Sequence, residues 1–254
     1  MFGIGRRKKS EPDGAPYTGP IVEARSINKS YRTEEVVVHA LRDVSLTVER
    51  GEIVAIMGPS GCGKTTLLNV LSGLDSIDSG EILIAGEPLH KMGDGRRTEY
   101  RAKSMGFIFQ SFNLMPVLSS VENVELPLLV SGVPVDRARK MALATLDQVG
   151  LAHRANHRPN QLSGGQQQRV AIARALVNSP AIVWADEPTG NLDSDTSREV
   201  LDLLLGLNRE NGQTFVIVTH DPGVGSLANR IVNMKDGRIV AYSEEPQREA
   251  AVGA

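Results

Sequence analysis

A glycine-rich stretch between residues 58 and 66 has the most specific chemical pattern in the sequence. It matches the spacing G-x-x-x-x-G-K-[ST] and consists of Gly58, Pro59, Ser60, Gly61, Cys62, Gly63, Lys64, Thr65 and Thr66. The glycines allow the backbone to wrap tightly, so that consecutive N–H groups point inward at one anion. Lys64 adds a full positive charge for terminal phosphates, and the Thr65 hydroxyl can ligate Mg²⁺. The stretch therefore predicts a nucleoside-triphosphate site.

The segments on either side of this loop are those that the motif requires. An apolar strand, Ile53–Met57, precedes it, and an apolar helical pattern from Leu67 to Leu71 follows it. A helix that begins near Gly63 adds the positive end of its dipole to the anion site. The order of strand, loop and helix thus supports the same prediction.

A second candidate site follows another apolar strand. The run Ala181–Ala185 ends in Asp186 and Glu187, and the carboxyl edge of a parallel sheet is where ligands bind in α/β folds. Adjacent residues at a strand end point in different directions, so two roles are expected. Asp186 can hold Mg²⁺ through a water molecule, and Glu187 can orient or deprotonate the attacking water.

A third stretch, Leu162–Gln166, contains Ser163, Gly164, Gly165 and Gln166 and precedes an amphipathic helix. Ser163 is a favourable N-cap, and the glycines let an anion approach the backbone at the helix start. This signal is weak by itself, because small residues are common at helix starts. It matters because the chain has one phosphate loop and yet a second helix terminus suited to an anion.

Composition limits the class of protein. With 254 residues, 41% of them hydrophobic, the chain predicts one α/β domain with a subdomain. The apolar runs are far shorter than the ~20 residues of a membrane-spanning helix. The net charge of −2 argues against a nucleic-acid partner. Because Cys62 is the single cysteine and no secretory segment is evident, we expect a cytoplasmic location.

The remaining pattern predicts the other elements. Residues 1–20 indicate a flexible tail, and short strands between Ile21 and Glu49 favour an antiparallel sheet. Continuous apolar runs at Ile53–Met57, Ala181–Ala185 and Phe215–Thr219 are typical of buried parallel strands. A later pair of strands is joined by Asp236-Gly237, which is a hairpin signal.

Helices are predicted in three places. A block from Ser119 to about Gly150 is expected to be broken by Pro127 and Pro134. One apolar face of this block is formed by Val135, Ala138, Ala142, Thr145, Leu146 and Val149. Further helices are predicted from Ser163 to about Asn178 and from Ser194 to Glu210.

These motifs, in this order, resemble the ATP-binding subunit of an ABC transporter over roughly residues 21–240. The resemblance implies ATP and Mg²⁺ as cofactors, with Tyr31 stacking on adenine and Gln110 contacting the metal, the attacking water and the membrane partner. It also implies that Asp193 lies at a dimer seam and that His220 contacts the γ-phosphate. In that family two copies meet head to tail, and each ATP lies between one phosphate loop and the signature Leu162–Gln166 of the partner copy.

The implied fold is a P-loop NTPase core with a mainly parallel sheet, an N-terminal antiparallel β subdomain and an α-helical subdomain carrying the signature. We expect the domain to span residues 21–245, its helical part about residues 111–170, with a tail at 246–254. The stretches 154–159 and 186–193 are similar to the lipoprotein-releasing and macrolide-exporter branch. That branch implies a permease with few transmembrane helices and a peripheral location on the cytoplasmic face of the bacterial inner membrane.

Alternatives to a transport ATPase remain at this stage. The same fold serves signalling ATPases whose permease controls an extracytoplasmic enzyme, and the sequence does not separate the two. A DNA-associated ABC ATPase is disfavoured, because the segment between Thr66 and Leu162 has no sustained heptads and no cysteine clusters. His153 and His157 have metal-ligand spacing but no acidic residue between them that could serve as a base.

Overall fold

The computed structural model describes residues 17–32 and 36–243. The predictions for residues 1–16 and 246–254 therefore lie outside the described residues. Within the predicted amino-terminal tail, the Tyr17 hydroxyl donates a hydrogen bond of 2.8 Å to Glu23 Oε1. Among the described residues, no helix is long and apolar enough to cross a membrane.

In the described part of the chain, ten strands form two sheets. In chain order they are β1 (Val22–Arg32), β2 (Val37–Val48), β3 (Ile53–Met57), β4 (Ser79–Ile84), β5 (Glu87–Pro88), β6 (Met105–Phe109), β7 (Ile182–Asp186), β8 (Thr214–Thr219), β9 (Arg230–Lys235) and β10 (Arg238–Ser243). The larger sheet has the order β10-β9-β3-β8-β7-β6, and all its pairs are parallel except β10 with β9. The predicted parallel strands and the hairpin at Asp236-Gly237 are thus confirmed.

The smaller sheet is antiparallel, with the order β2-β1-β4-β5. The prediction of several short strands between Ile21 and Glu49 was wrong in detail, because β1 and β2 are long and continuous. Register shifts interrupt their pairing, and Ser26 and Asp43 have positive φ angles of 50° and 53°. Such irregularities break the alternation of apolar and polar residues that marks a strand in sequence.

Alternate residues of the parallel strands serve two separate cores. In β3, Ile53 and Ala55 pack with the helices on one face, whereas Val54 and Ile56 pack with the small sheet on the other. Burial on both faces explains why these strands are uninterrupted apolar runs. The strands are therefore held rigidly, and their carboxyl ends are a firm base for side chains that perform chemistry.

The helices are α1 (Lys64–Leu71), α2 (Asp94–Ser104), α3 (Ser120–Val130), α4 (Val135–Gln148), α5 (Gly164–Leu176), α6 (Ser194–Asn211) and α7 (Pro222–Gly225). Short 3₁₀ turns occur at Leu89–Lys91, Ala152–Arg154 and Pro159–Gln161. Helix α2 escaped prediction because its sequence is almost entirely polar and buries no residue, so it has no apolar periodicity.

Two predictions for the helical block were wrong. Pro127 lies inside α3 and does not end it, since the chain leaves the helix only after Val130. Hydrogen bonds stabilise the last turn of α3. The Ser131 hydroxyl donates one of 2.8 Å to Pro127 O, and Val133 N donates one of 3.0 Å to Leu128 O. Val135 is 62% exposed and so does not belong to the buried face of α4. The other five predicted residues of that face are buried.

Candidate functional site

The loop between β3 and α1 has a backbone that glycine alone can adopt without strain. Gly58, Gly61 and Gly63 have φ angles of 156°, 76° and 105°. A Cβ on Gly58 would lie 2.2 Å from Met234 O, and one on Gly63 would lie 2.5 Å from Ala40 O. The loop is thus wedged between the strands β2 and β9, and its shape is imposed from outside as well as by its own sequence.

The variant Gly63→Ala is expected to lower the free energy of unfolding by at least about 2 kcal/mol, because it combines a positive φ with a backbone clash. Denaturant unfolding measures this change. Gly206→Ala is the matched control, since Gly206 lies within α6 and an added Cβ meets no atom within 4 Å. The control should raise the free energy of unfolding by about 0.5–1 kcal/mol. An unchanged or raised free energy of unfolding in Gly63→Ala would contradict the wedge.

The loop opens onto a cavity of about 540 Å³. Its wall contains the predicted residues Tyr31, Ser60, Gly61, Gly63, Lys64, Thr65, Thr66 and Glu187. Lys64 is 9% exposed, and its Nζ donates hydrogen bonds of 2.7 Å to Gly58 O and 3.0 Å to Pro59 O. These carbonyls hold the ammonium inside the loop, where a phosphate could exchange for them.

Cys62 takes part in the loop through its backbone. Its side chain is buried at 5% exposure, and its N–H donates 3.3 Å to Pro59 O. Its carbonyl accepts 3.0 Å from the N–H of Gly237. The thiol therefore lies in the core beside the loop, away from the cavity.

Thr65 and Asp186 face each other across the end of the sheet. Thr65 Oγ1 lies 3.5 Å from both Oδ1 and Oδ2 of Asp186, at the limit of a hydrogen bond. Burial, and then the charge of Glu187, raise the pKa of Asp186 against the opposing effects of Thr65 and Lys64. A hydroxyl and a desolvated carboxylate at this separation are suitable oxygen ligands for a small divalent cation.

Glu187 follows β7 with a left-handed backbone, φ 47°, which is uncommon for a residue other than glycine. Its N–H donates 2.9 Å to Val218 O and so fixes the turn to strand β8. Its Oε1 lies 2.7 Å from His220 Nδ1, and its Oε2 accepts 3.3 Å from Thr219 Oγ1. The carboxylate side chain is 18% exposed, while that of His220 is 73% exposed. The end of β7 and the end of β8 thus bring together Glu187, whose carboxylate is held in place, and the solvent-facing side chain of His220.

Gln110 lies just after β6 and is exposed. Its Nε2 donates 3.2 Å to Asn191 Oδ1, and Asn191 Nδ2 donates 3.0 Å to Gln110 O. A Cβ on Gly190 would lie 2.8 Å from Gln110 Nε2, so that glycine makes room for the amide. The pair joins β6 to the turn after Glu187.

The signature stretch lies at the start of α5, and the cavity wall, as far as the chain is described, includes none of its residues. Ser163 and Gln166 form a capping box, in which Gln166 N donates 3.3 Å to Ser163 Oγ. A Cβ on Gly165 would lie 2.3 Å from Thr196 Cγ2, and one on Gly164 would lie 3.3 Å from Leu192 Cδ2. The glycines therefore allow α5 to start against the segment that leads into α6.

Asp193 is the N-cap of α6. Its Oδ1 accepts 2.9 Å from Thr196 N, and its Oδ2 accepts 2.7 Å from Thr196 Oγ1. These hydrogen bonds lower the pKa of Asp193. The starts of α5 and α6 are thus neighbours and carry Ser163 and Asp193 on one exposed part of the surface.

Sequence reasoning missed part of the cavity wall, namely Val38, His39, Ala40, Arg42, Val218, Asp236 and Gly237. The hairpin turn reaches the loop because Gly237 N donates a hydrogen bond of 3.0 Å to Cys62 O, and Arg42 N of β2 donates one of 2.8 Å to Gly237 O. Asp236-Gly237 was recognised as a turn, but its position beside the phosphate loop follows from the tertiary fold alone.

A second cavity of about 360 Å³ lies between α2, β6 and α5. Apolar side chains such as Phe107 and Phe109 line it together with Arg101 and Arg174. Arg174 donates 2.8 Å to Phe112 O, and burial lowers its pKa. Phe112 and the next residue have positive φ angles of 59° and 49°, so Arg174 holds a strained segment just after Gln110.

Such a sheet, with a phosphate loop after one central strand and a carboxylate pair after another, defines a P-loop NTPase of the α/β class. Residues 41–190 match the model of a family described as ABC transporter. The chain belongs to this family, and it is an ABC transporter ATP-binding subunit.

Relatives cover most of the chain. It is 48% identical over 222 residues to the lipoprotein-releasing system ATP-binding protein LolD of Bordetella pertussis, covering 87% of this chain and 96% of that one. It is 49% identical over 240 residues to the macrolide export ATP-binding/permease protein MacB of Syntrophobacter fumaroxidans, covering 92% of this chain and 34% of that one.

A solved structure is similar over the same region. The dimeric post-hydrolysis state of the ATP-binding cassette MJ0796 of Methanocaldococcus jannaschii, bound to ADP and Pi, has a TM-score of 0.82 at 44% identity. The match covers 89% of this chain and 99% of that one. The family resemblance and the predicted fold class are thereby confirmed.

Proposed function

We propose that this protein hydrolyses ATP as a dimer and thereby drives conformational change in a separate membrane permease. One observation carries the proposal. The phosphate loop and Glu187 share a cavity, whereas the signature Ser163–Gln166 caps a helix outside that cavity. A second copy is therefore needed to bring a signature to each phosphate loop.

The phosphate loop binds the triphosphate. Lys64 exchanges the carbonyls of Gly58 and Pro59 for phosphate oxygens, and the N–H groups at the start of α1 add the helix dipole. Thr65 and Asp186 would hold Mg²⁺, since their oxygens face one another at 3.5 Å. When bound, Mg²⁺ supplies positive charge to the phosphates and so stabilises the charge that develops on the transferred group.

Glu187 orients and deprotonates the attacking water. Its carboxylate is fixed by Thr219 and His220 and lines the cavity beside Lys64. We expect His220, which is exposed and hydrogen-bonded to this carboxylate, to contact the γ-phosphate. Gln110, at the end of β6, would reach the metal and the attacking water, and its hydrogen bonds with Asn191 hold it beside the turn that follows Glu187.

Dimerisation closes the site. The solved MJ0796 cassette is dimeric with ADP and Pi bound, and this supports a dimer of the present chain, for which we propose a head-to-tail arrangement. Ser163, Gly164, Gly165 and Gln166 then bind the ATP held by the partner copy, with the N–H groups at the start of α5 facing the phosphates. Asp193, next to this helix start, lies at the seam.

The permease partner is supported by the relatives, which include a lipoprotein-releasing system ATP-binding protein and a macrolide export ATP-binding/permease protein. A permease with few transmembrane helices would place the subunit on the cytoplasmic face of a bacterial membrane. The second cavity is the docking surface that best fits such a partner, because it combines phenylalanine side chains with Arg101 and Arg174. Phe109 in the wall of this cavity precedes Gln110 in the chain. A movement of the permease at this surface can therefore be transmitted to the nucleotide site through Gln110.

Phosphate release from ATP by the purified protein tests this function. We expect hydrolysis in the presence of Mg²⁺ and a fall of about 100-fold or more when EDTA removes it, since metal ions contribute several kcal/mol to such transition states. Excess Mg²⁺ added after EDTA is the control and should restore the rate. Turnover that EDTA leaves unchanged would contradict the assignment of Thr65 and Asp186.

A further inference from the structure

Tyr31 is held at the edge of the nucleotide cavity by a partner outside that cavity. The Tyr31 hydroxyl donates a hydrogen bond of 2.9 Å to Asp75 Oδ2, and the residue is 42% exposed. Asp75 follows α1, the helix that begins at the phosphate loop. The Tyr31 ring and the phosphate loop are thus both held by α1, one near each end of this helix.

Lys29 fixes Asp75 in turn. The Lys29 residue is 7% exposed, and its Nζ donates 2.9 Å to Asp75 Oδ1 and 2.7 Å to Ser76 O. Partial burial raises the pKa of Asp75, but hydrogen bonds from Lys29 and Tyr31 outweigh it and hold that pKa below its ordinary value. Asp75 is therefore a charged acceptor, which makes the stronger kind of hydrogen bond to the phenol.

The Lys29 ammonium also lies 5.1 Å from the centroid of the Tyr31 ring, within the range of a cation–π contact. Tyr31 is thus fixed at its hydroxyl and contacted by a cation at its ring. A ring held in this way loses little conformational freedom when a flat ligand stacks on it, and such preorganisation increases affinity.

We infer that Asp75 and Lys29 are positioning residues that set the Tyr31 ring to stack on the nucleobase. The inference rests on the proposed function, because it requires a nucleotide in the cavity that Tyr31 lines. Asp75 and Lys29 affect binding through the Tyr31 ring, whereas the phosphate loop binds the phosphates. Their effect is therefore specific to ligands that carry a base.

Comparing the affinity for ATP with the affinity for inorganic tripolyphosphate separates the contribution of the nucleobase from that of the phosphates. For Asp75→Ala we expect ATP affinity to fall about fivefold, the scale of one lost hydrogen bond, with tripolyphosphate affinity unchanged. Tyr31→Phe, which removes the hydroxyl but keeps the Lys29–Asp75 ion pair, should show a similar loss. In steady state both variants should raise KM for ATP with kcat unchanged.

Tyr242→Phe is the matched control. Tyr242 is 51% exposed, its hydroxyl donates 2.8 Å to Ser45 O, and Arg230 lies 5.6 Å from its ring, but it is outside the cavity wall. ATP affinity should be unchanged in this variant. Adding Asp75→Ala to Tyr31→Phe should cause no further loss, because the hydroxyl through which Asp75 acts is already absent.

Two results would overturn the inference. One is unchanged ATP affinity in Tyr31→Phe, a variant that leaves the buried Lys29 paired and so tests the anchor even where Asp75→Ala fails to fold. The other is an equal loss for ATP and tripolyphosphate, which would indicate general damage to the loop. Failure of the unmodified protein to bind ATP would instead refute the proposed function.

Discussion

Replacing Glu187 by Gln is expected to abolish steady-state ATP hydrolysis and to leave ATP binding intact. The amide has nearly the same shape as the carboxylate but cannot accept the proton of the attacking water. A general base contributes about 100-fold to 10,000-fold to a rate, so the loss should be of this size. The left-handed backbone at Glu187 and its N–H bond to Val218 O are unchanged, so the cavity should keep its form.

Phosphate release and sedimentation in the presence of ATP measure the two parts of this prediction. The variant should bind ATP and accumulate as a dimer, since the closed state no longer resolves by hydrolysis. Glu81→Gln is the matched control, because the Glu81 side chain is 48% exposed and lies 3.8 Å from Arg25 on the small sheet. Normal turnover in Glu187→Gln would refute the assignment of this residue as the base.

Replacing Ser163 by Arg is expected to reduce hydrolysis by about 100-fold or more, because helix N–H groups that stabilise phosphate charge would be blocked. Binding of ATP to the isolated chain should be unaffected, since Ser163 lies outside the cavity wall. For a residue outside the cavity wall, binding kept and turnover lost is the result expected when that residue acts on the ATP of another copy.

Loss of the helix cap is a separate effect and has its own control. Ser119 caps α3 with the same capping box that Ser163 makes at α5. Ser119→Ala should lower the free energy of unfolding by about 1 kcal/mol without changing the rate of hydrolysis. An equally inactive Ser119→Ala would mean that stability, and not the dimer site, explains the Ser163→Arg result.

Much of the site was predictable because its signals are local. Two local patterns each predict a backbone conformation: the glycine spacing before Lys64 predicts a phosphate loop, and the apolar run that ends at Asp186 predicts a buried strand. Ser163 was predicted as an N-cap, and the structure has it at the start of α5. The carboxyl edge of the parallel sheet then brings the loop and the acidic pair together without further information.

What escaped prediction depends on contacts between distant segments. Ala40 and Gly237 reach the phosphate loop only because β2 and the β9–β10 hairpin pack against it. Asp75 is a loop carboxylate in sequence, and its link to Tyr31 spans 44 positions. No periodicity or motif reports such a pairing, since it is set by how the segment after α1 packs against β1.

Local rules also failed where tertiary structure overrode them. Pro127 is tolerated inside α3, although proline disfavours helix interiors. The irregularities at Ser26 and Asp43 hid two long strands behind a broken alternation. In each case the neighbouring elements compensate for a local cost, and that compensation is absent from the linear pattern.

Mixing two inactive variants tests the composite site most directly. Glu187→Gln lacks the base but keeps the signature, and Ser163→Arg has the reverse defect. A dimer of one copy of each contains one complete site, made by the phosphate loop and Glu187 of the Ser163→Arg chain and by the signature of the other chain. An equal mixture should then recover about a quarter of the unmodified activity, because half of randomly paired dimers are mixed and each has one of its two sites intact. A mixture that stays as inactive as its components would contradict a site shared between two copies.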